Sequence, residues 1–447
     1  MRKYLIHPFG IFIILIHAVY FFIAWNNGSI YLVDSYGYLN QVKNILLHQC
    51  WYAEDWNTPV LIDYFTIRPP LYAFFILSCK SIYHSDYFVL VIQNLLSIFN
   101  IFLIWKLLEK NNVKQKAINT AIVLALIFFP SQMIHSDFVM SEILLQFFLT
   151  FAFYFSVKTL DKPELKNIFW VSVCISLAML TKPVVLFLGV LLAAYFFFIF
   201  WRKNTKLLLP FLLIPVTYHL LCLQNQHTTG YYHFTSMKIM ADVRVNSRYV
   251  LASKYGADSS SKFETQLMNE ANLITDYGKR YEFIEQKCNE VYLQNKTAFV
   301  KQYVKGMAST MLDPGRFDLG VFFNLQNNAS PGFLHRFNTE GIKSVPEILK
   351  ETPIFILFFL GIILLWNALL SLSLVVFLFD KKIAIRLRIF VVLFIAYFVM
   401  VIGISGLCRY RVPFFPMLVF ALAFTLDKII TGKKYFWIQK SKKVFHL

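Results

Sequence analysis

The sequence predicts an all-α polytopic membrane protein with ten transmembrane helices, interfacial helices beside them and one large extracytoplasmic loop. Three observations lead there. The 447 residues are 57% hydrophobic and only 15% charged, with 48 Phe, and the mean hydropathy is +0.56. Apolar runs recur along the whole chain, and a hydrocarbon core of roughly 30 Å takes about 20 helical residues to cross. The runs are continuously apolar and do not alternate, which argues against a β-barrel.

The first run, residues 11–25, follows the basic flank "MRKYLIHPFG". It lacks a small-residue cleavage site and reads as a retained helix, not a removed signal peptide. Next comes "IYLVDSYGYLNQVKNILLHQC", where Asp34 stands just past the first span. From residue 37 to 49, Tyr38, Leu39, Val42, Ile45, Leu46 and Gln49 share one face at helical spacing. Asn40, Gln41, Lys43 and Asn44 face away. That pattern predicts a helix lying in the membrane plane. "LYAFFILSCKSIY", residues 71–83, is short and contains Lys80, so it fits an interfacial helix or an eleventh span. The remaining predicted spans are 87–108, 117–133, 138–157, 168–180, 184–201, 207–223, 354–379, 389–404 and 412–426.

Loop charge decides the topology. If 71–83 does not cross, the termini and the loops 106–116, 158–166, 202–206 and 380–388 share the cytoplasmic side. Those pieces hold 22 Lys/Arg and 5 Asp/Glu, whereas the rest of the chain is nearly balanced. The net charge of +18 is then a topology signal and needs no nucleic-acid partner. The chain divides into an N-terminal transmembrane module, 1–223, whose first outer loop 26–86 forms a platform; an extracytoplasmic helical loop domain, 224–353; and C-terminal helices with a short basic tail, 354–447. The six Cys are scattered without metal-ligand or disulfide spacing.

Ionisable groups at a membrane edge are costly and so are functional candidates. This topology brings Asp34, Arg68, Asp137, Glu142, Lys182, Arg409 and Arg411 to one face. Carboxylates opposite several cations suit a phosphate or diphosphate, held by charge-assisted hydrogen bonds. One carboxylate could act as general base toward a hydroxyl. A second could hold a divalent metal or orient the first. Structural readings stand beside these. Asp34 could cap the helix that follows, and Glu142 could answer a helix dipole. Arg409, Arg411 and Lys80 could snorkel. The His residues, including His135, are isolated, and the sequons at Asn295 and Asn328 are short.

Several segments resemble the GT-C membrane glycosyltransferases. The nearest resemblance is to the dolichyl-phosphate-mannose protein mannosyltransferases and bacterial aminoarabinose lipid A transferases (glycosyltransferase family 39). An acid after the first span, an in-plane helix and a basic residue before "PPLY" are similar to that group's first outer loop. "FVMSEILLQFF", "LAMLTKPVVLFL", "NQHTTGYYHFTS" and "CRYRVPFFPMLVF" resemble its later motifs, in order, across most of residues 1–426. The resemblance implies a GT-C-like bundle with Asp34 as catalytic base. It implies Glu142 as a second acid able to contact a divalent metal, and Arg68 at the donor phosphate, with Lys182 and Arg409 at further matching positions. Asp137 competes with Glu142 as the second acid. The chain departs from the pattern at Ser35, where many members have another acid, and in stopping soon after the last span.

The expected function is transfer of a sugar, with inversion, from a polyprenyl-phosphate-linked donor to an acceptor glycan, lipid or protein. The enzyme would sit among membrane lipids, in a bacterial inner membrane with its site facing out. A lipid-linked saccharide transporter or flippase, or a polysaccharide polymerase, is the alternative. Apolar centres of the spans favour an enzyme working at the interface over a transporter.

Overall fold

The computed structural model describes residues 8–201, 204–325, 346, 347, 350 and 354–431. The sequon at Asn328 and most of both basic termini lie outside these. Among the described residues there is no strand, and the protein is an all-α polytopic membrane protein.

The helices run in order: α1 Pro8–Asn27, α2 Val33–His48, α3 Leu71–Ile82, α4 Asp86–Lys110, α5 Gln115–Phe128, α6 Ser131–Ser136, α7 Glu142–Asp161, α8 Leu165–Thr181, α9 Leu188–Phe200 and α10 Leu213–Thr229. Then follow α11 Met237–Ala241, α12 Arg248–Tyr255, α13 Ala257–Asn272, α14 Tyr277–Gln294, α15 Lys296–Leu312, α16 Arg316–Phe322, α17 Ile354–Phe379, α18 Ile385–Ile402 and α19 Phe415–Thr431. Eight helical stretches are long and apolar enough to cross a membrane, and α3, α5 and α8 are shorter apolar helices.

The expected ten spans are therefore eight long stretches plus shorter helices where two spans were predicted. Proline explains both. Pro130 holds the preceding Phe129 out of the α region, at φ −126° and ψ 70°, so α5 stops at Phe128 after 14 residues. Pro183 does the same to Lys182, at φ −152° and ψ 133°, and α8 stops at Thr181 after 17. The twelve-residue α3 reaches about 18 Å at 1.5 Å per residue, short for a hydrocarbon core. Lys80 near its end pairs with Asp86 at 2.7 Å.

The bundle core gathers Phe and aliphatic side chains from α4, α5, α7, α8, α18 and α19. A neutral polar network threads it: Asn100 and Gln132 donate to Gln146 Oε1, and Gln132 also donates to Ser97. Gln146 in turn donates to the Val412 carbonyl at 2.5 Å. That carbonyl also accepts from Phe415 N within the 3₁₀ turn, and because residue 416 is proline and has no N–H, the Gln146 amide is free to take its second lone pair.

The amphipathic helix differs from its expected orientation. It starts at Val33, and Gln41 and Asn44, expected to face away from the membrane, are buried. Gln41 donates to the carbonyls of Trp51 and Arg68, and Asn44 to those of Tyr52 and Glu54. The polar face holds the loop that follows, while Leu46 is exposed. Residues 224–325 are helical and close over that same loop. Arg280 pairs with Asp63 at 2.5 Å, and Ser236 and Thr235 donate to the carbonyls of Asp63 and Ile67.

Candidate active site

Two backbone interruptions and one helix start deliver the cations. Arg68 and Lys182 each precede a proline and so lie outside regular helix. Arg409 lies on the short 3₁₀ turn Cys408–Phe414 that leads into α19. The Lys182 break leaves backbone groups without helical partners. Tyr397 of α18 takes both: its hydroxyl donates to Val184 O at 2.7 Å and accepts from Phe187 N at 3.1 Å.

Asp34 is the second residue of α2, so it is not the residue that precedes and caps the helix. Ser35 Oγ accepts from Leu32 N at 2.9 Å instead, which is a partial capping box. Both carboxylate oxygens of Asp34 are thereby left for other groups. Arg68 Nη2 donates to Oδ1 at 2.9 Å, and Arg409 Nη1 to Oδ2 at 3.0 Å. Burial opposes a charge on Asp34, but the guanidiniums of Arg409 and Arg68 outweigh it and hold the carboxyl below the usual carboxylate range.

Beside this pair lies a second. Lys182 Nζ donates to Glu142 Oε1 at 2.6 Å. Tyr410 joins the two: its hydroxyl accepts from Arg409 at 3.0 Å, and Lys182 lies 5.8 Å from its ring centre. Exposure separates the acids, since the Asp34 side chain is 32% exposed and that of Glu142 is 0%. Asp34 is reachable from outside the protein, whereas Glu142 is a buried counter-ion for Lys182.

Asp34, Arg68, Glu142, Lys182 and Arg409 are thus brought together. Asp137 and Arg411 are not part of that cluster. Asp137 Oδ1 accepts from Asn94 at 2.7 Å, and burial pushes its carboxyl up to about 8 against that hydrogen bond. Arg411 is fully buried and donates to the Met311 and Asp313 carbonyls at 2.6 and 2.7 Å. A cation at the end of α15 suits that helix's dipole. His135 pairs with Asp318 at 3.0 Å, and Cys408 Sγ donates to the same oxygen.

Three neighbours escaped sequence reading. The Tyr38 ring lies 4.3 Å under the Arg68 guanidinium. The Tyr38 hydroxyl bonds Ser141 at 2.8 Å. Gly37 makes room for Arg68, since a Cβ there would lie 2.6 Å from Nε. Tyr38 and Gly37 read in sequence as an apolar face and a helix start. Only their spacing from Asp34, one turn on, could have flagged them.

The described residues offer no ready-made cage for a divalent metal. Both Asp34 oxygens and Glu142 Oε1 already hold cations. Among the described residues no group of three His, Cys, Asp or Glu could hold a metal ion. Glu142 is a counter-ion for Lys182 through Oε1, and its Oε2 is buried without a hydrogen-bond partner.

Residues 67–224 match the family model described as dolichyl-phosphate-mannose-protein mannosyltransferase. The stretch contains Arg68, Asp137, Glu142 and Lys182 and excludes Asp34, Arg409 and Arg411. No curated protein matches the chain. With the membrane-crossing helices, the match supports a membrane glycosyltransferase as the class of this protein.

Proposed function

We propose that the protein transfers a sugar from a polyprenyl-phosphate-linked donor to an acceptor hydroxyl, with inversion at the anomeric carbon. The observation that carries this reading is the reachable carboxylate of Asp34 set between two guanidiniums, with the Lys182–Glu142 pair alongside. The matched family's description names a lipid-phosphate sugar donor, which fits a cluster of three cations.

Asp34 takes the proton of the acceptor hydroxyl. The acceptor oxygen attacks the anomeric carbon from the face opposite the phosphate. Arg68, Arg409 and Lys182 stabilise the negative charge gathering on the leaving phosphate. Arg409 Nε is buried without an acceptor, so it has an N–H to offer a phosphate oxygen. The segregation of basic residues supports a site on the extracytoplasmic side of the membrane. Replacing Asp34 by Asn is expected to abolish turnover while the lipid donor still binds. Turnover of that variant at the wild-type rate would remove Asp34 as the base.

A further inference from the structure

We propose that Arg68 and Arg409 form a latch on Asp34 that a donor phosphate opens, so that the base becomes free to accept a proton only when a donor is seated. The proposal rests on the glycosyl-transfer reading above and adds a coupling between its two halves.

The geometry is that of a doubly held carboxylate. One guanidinium comes from 34 residues away and the other from 375, and each donates to a different oxygen. Each Asp34 oxygen gives one of its two lone pairs to a guanidinium, and the two positive charges beside it make the carboxylate a poor proton acceptor until they move away. The groups that hold Asp34 are also the ones chemically suited to phosphate, which guanidinium binds in bidentate fashion. Phosphate oxygens and Asp34 therefore compete for the same N–H donors.

The neighbouring pair does not yield in the same way. Glu142 is wholly buried, and stripping Lys182 from it would leave an uncompensated buried charge. Asp34, a third exposed, can release its partners toward a phosphate and turn to a substrate hydroxyl. The fixed pair supplies a standing field, and the two arginines supply the exchange.

The charge count closes through the reaction. Arg68, Arg409 and Lys182 against Asp34 and Glu142 leave one positive charge, which a phosphodiester monoanion neutralises. In the transfer, the acceptor O–H proton goes to Asp34 and the acceptor oxygen bonds to the anomeric carbon. The anomeric C–O bond breaks with its electron pair going to the phosphate. Asp34 loses one negative charge and the phosphate, now a monoester dianion, gains one. The cluster is neutral before and after, and the guanidiniums follow the charge from carboxylate to phosphate.

Binding of farnesyl phosphate to the purified, detergent-solubilised protein tests the latch. Asp34→Asn removes the competitor while keeping the side-chain shape, so the variant is expected to bind about tenfold more tightly than wild type. Equal or weaker binding by Asp34→Asn overturns the latch and leaves the phosphate site standing. Failure of the wild-type protein to bind farnesyl phosphate would instead remove the phosphate site, and the latch with it.

Discussion

A hydrogen atom in place of a side chain at position 37 decides where the Arg68 guanidinium can lie. Gly37→Ala would set a methyl group 2.6 Å from Nε. The long arginine side chain can swing aside, so the fold is expected to survive while the Arg68–Asp34 contact is lost. The expected result is a KM for donor raised roughly tenfold, with only a small fall in melting temperature from the lost ion pair. Asp137 and Glu142, five residues apart, separate by the same kind of local detail. Asp137 favours its protonated form when folded, so its folded carboxyl destabilises the protein increasingly as pH rises from about 4 toward about 8. Asp137→Asn should raise thermal stability at neutral pH and leave activity intact. Glu142→Gln should cost roughly 3–5 kcal/mol by stranding Lys182, and adding Lys182→Met should restore part of that stability. Asp34 behaves oppositely to Asp137. Its carboxyl is held low, so its ion pairs stabilise the fold above the usual carboxylate value of about 4 and are lost as pH falls through the lower folded value.

At the scale of elements, proline and its hydrogen-bond debts shape the site. The break at Lys182–Pro183 stands because Tyr397 serves two stranded backbone groups. Tyr397→Phe should cost about 1–3 kcal/mol and lower activity through displaced Lys182, although Tyr397 belongs to none of the ion pairs. The segment carrying Arg409 is fixed from its other side by α15. A Cβ on Gly306 would lie 2.1 Å from the Gly403 carbonyl, a backbone contact with no flexible group to yield. Gly306→Ala is expected to reduce thermal stability and to move the 403–411 segment, readable as lost activity at saturating donor.

Much of this element scale was legible in the chain. Arg68-Pro and Lys182-Pro announce breaks, and an acid after the first span is expensive enough to draw notice. The pairings were not legible. Helix phase near Pro130 could not say which of Asp137 and Glu142 meets Lys182. Nor could spacing say that Arg409 turns to Asp34 while Arg411, two residues on, turns to the end of α15. Such choices depend on contacts 100 or more residues apart. The orientation of α2 was misread for a related reason, because buried Gln41 and Asn44 find their partners in the loop and not in the helix.

Over the whole molecule, charge patterning and apolar runs fixed the class, while the number of long spans depended on where proline cuts a run. The charged cluster draws on three separate regions. Helix α2 and the loop after it give Asp34 and Arg68, the middle helices give Glu142 and Lys182, and the turn before α19 gives Arg409. Residues 224–325 bind both the loop holding Arg68 and the segment holding Arg409. They therefore act as a clamp over distant parts of one site. The most direct test of the central claim is the lipid product released by purified protein from a polyprenyl-monophosphate sugar and acceptor. One free polyprenyl phosphate per sugar transferred, lost in Asp34→Asn, is the predicted result. Movement of the intact donor across a bilayer with no prenyl phosphate released, or equal release by Asp34→Asn, would contradict it.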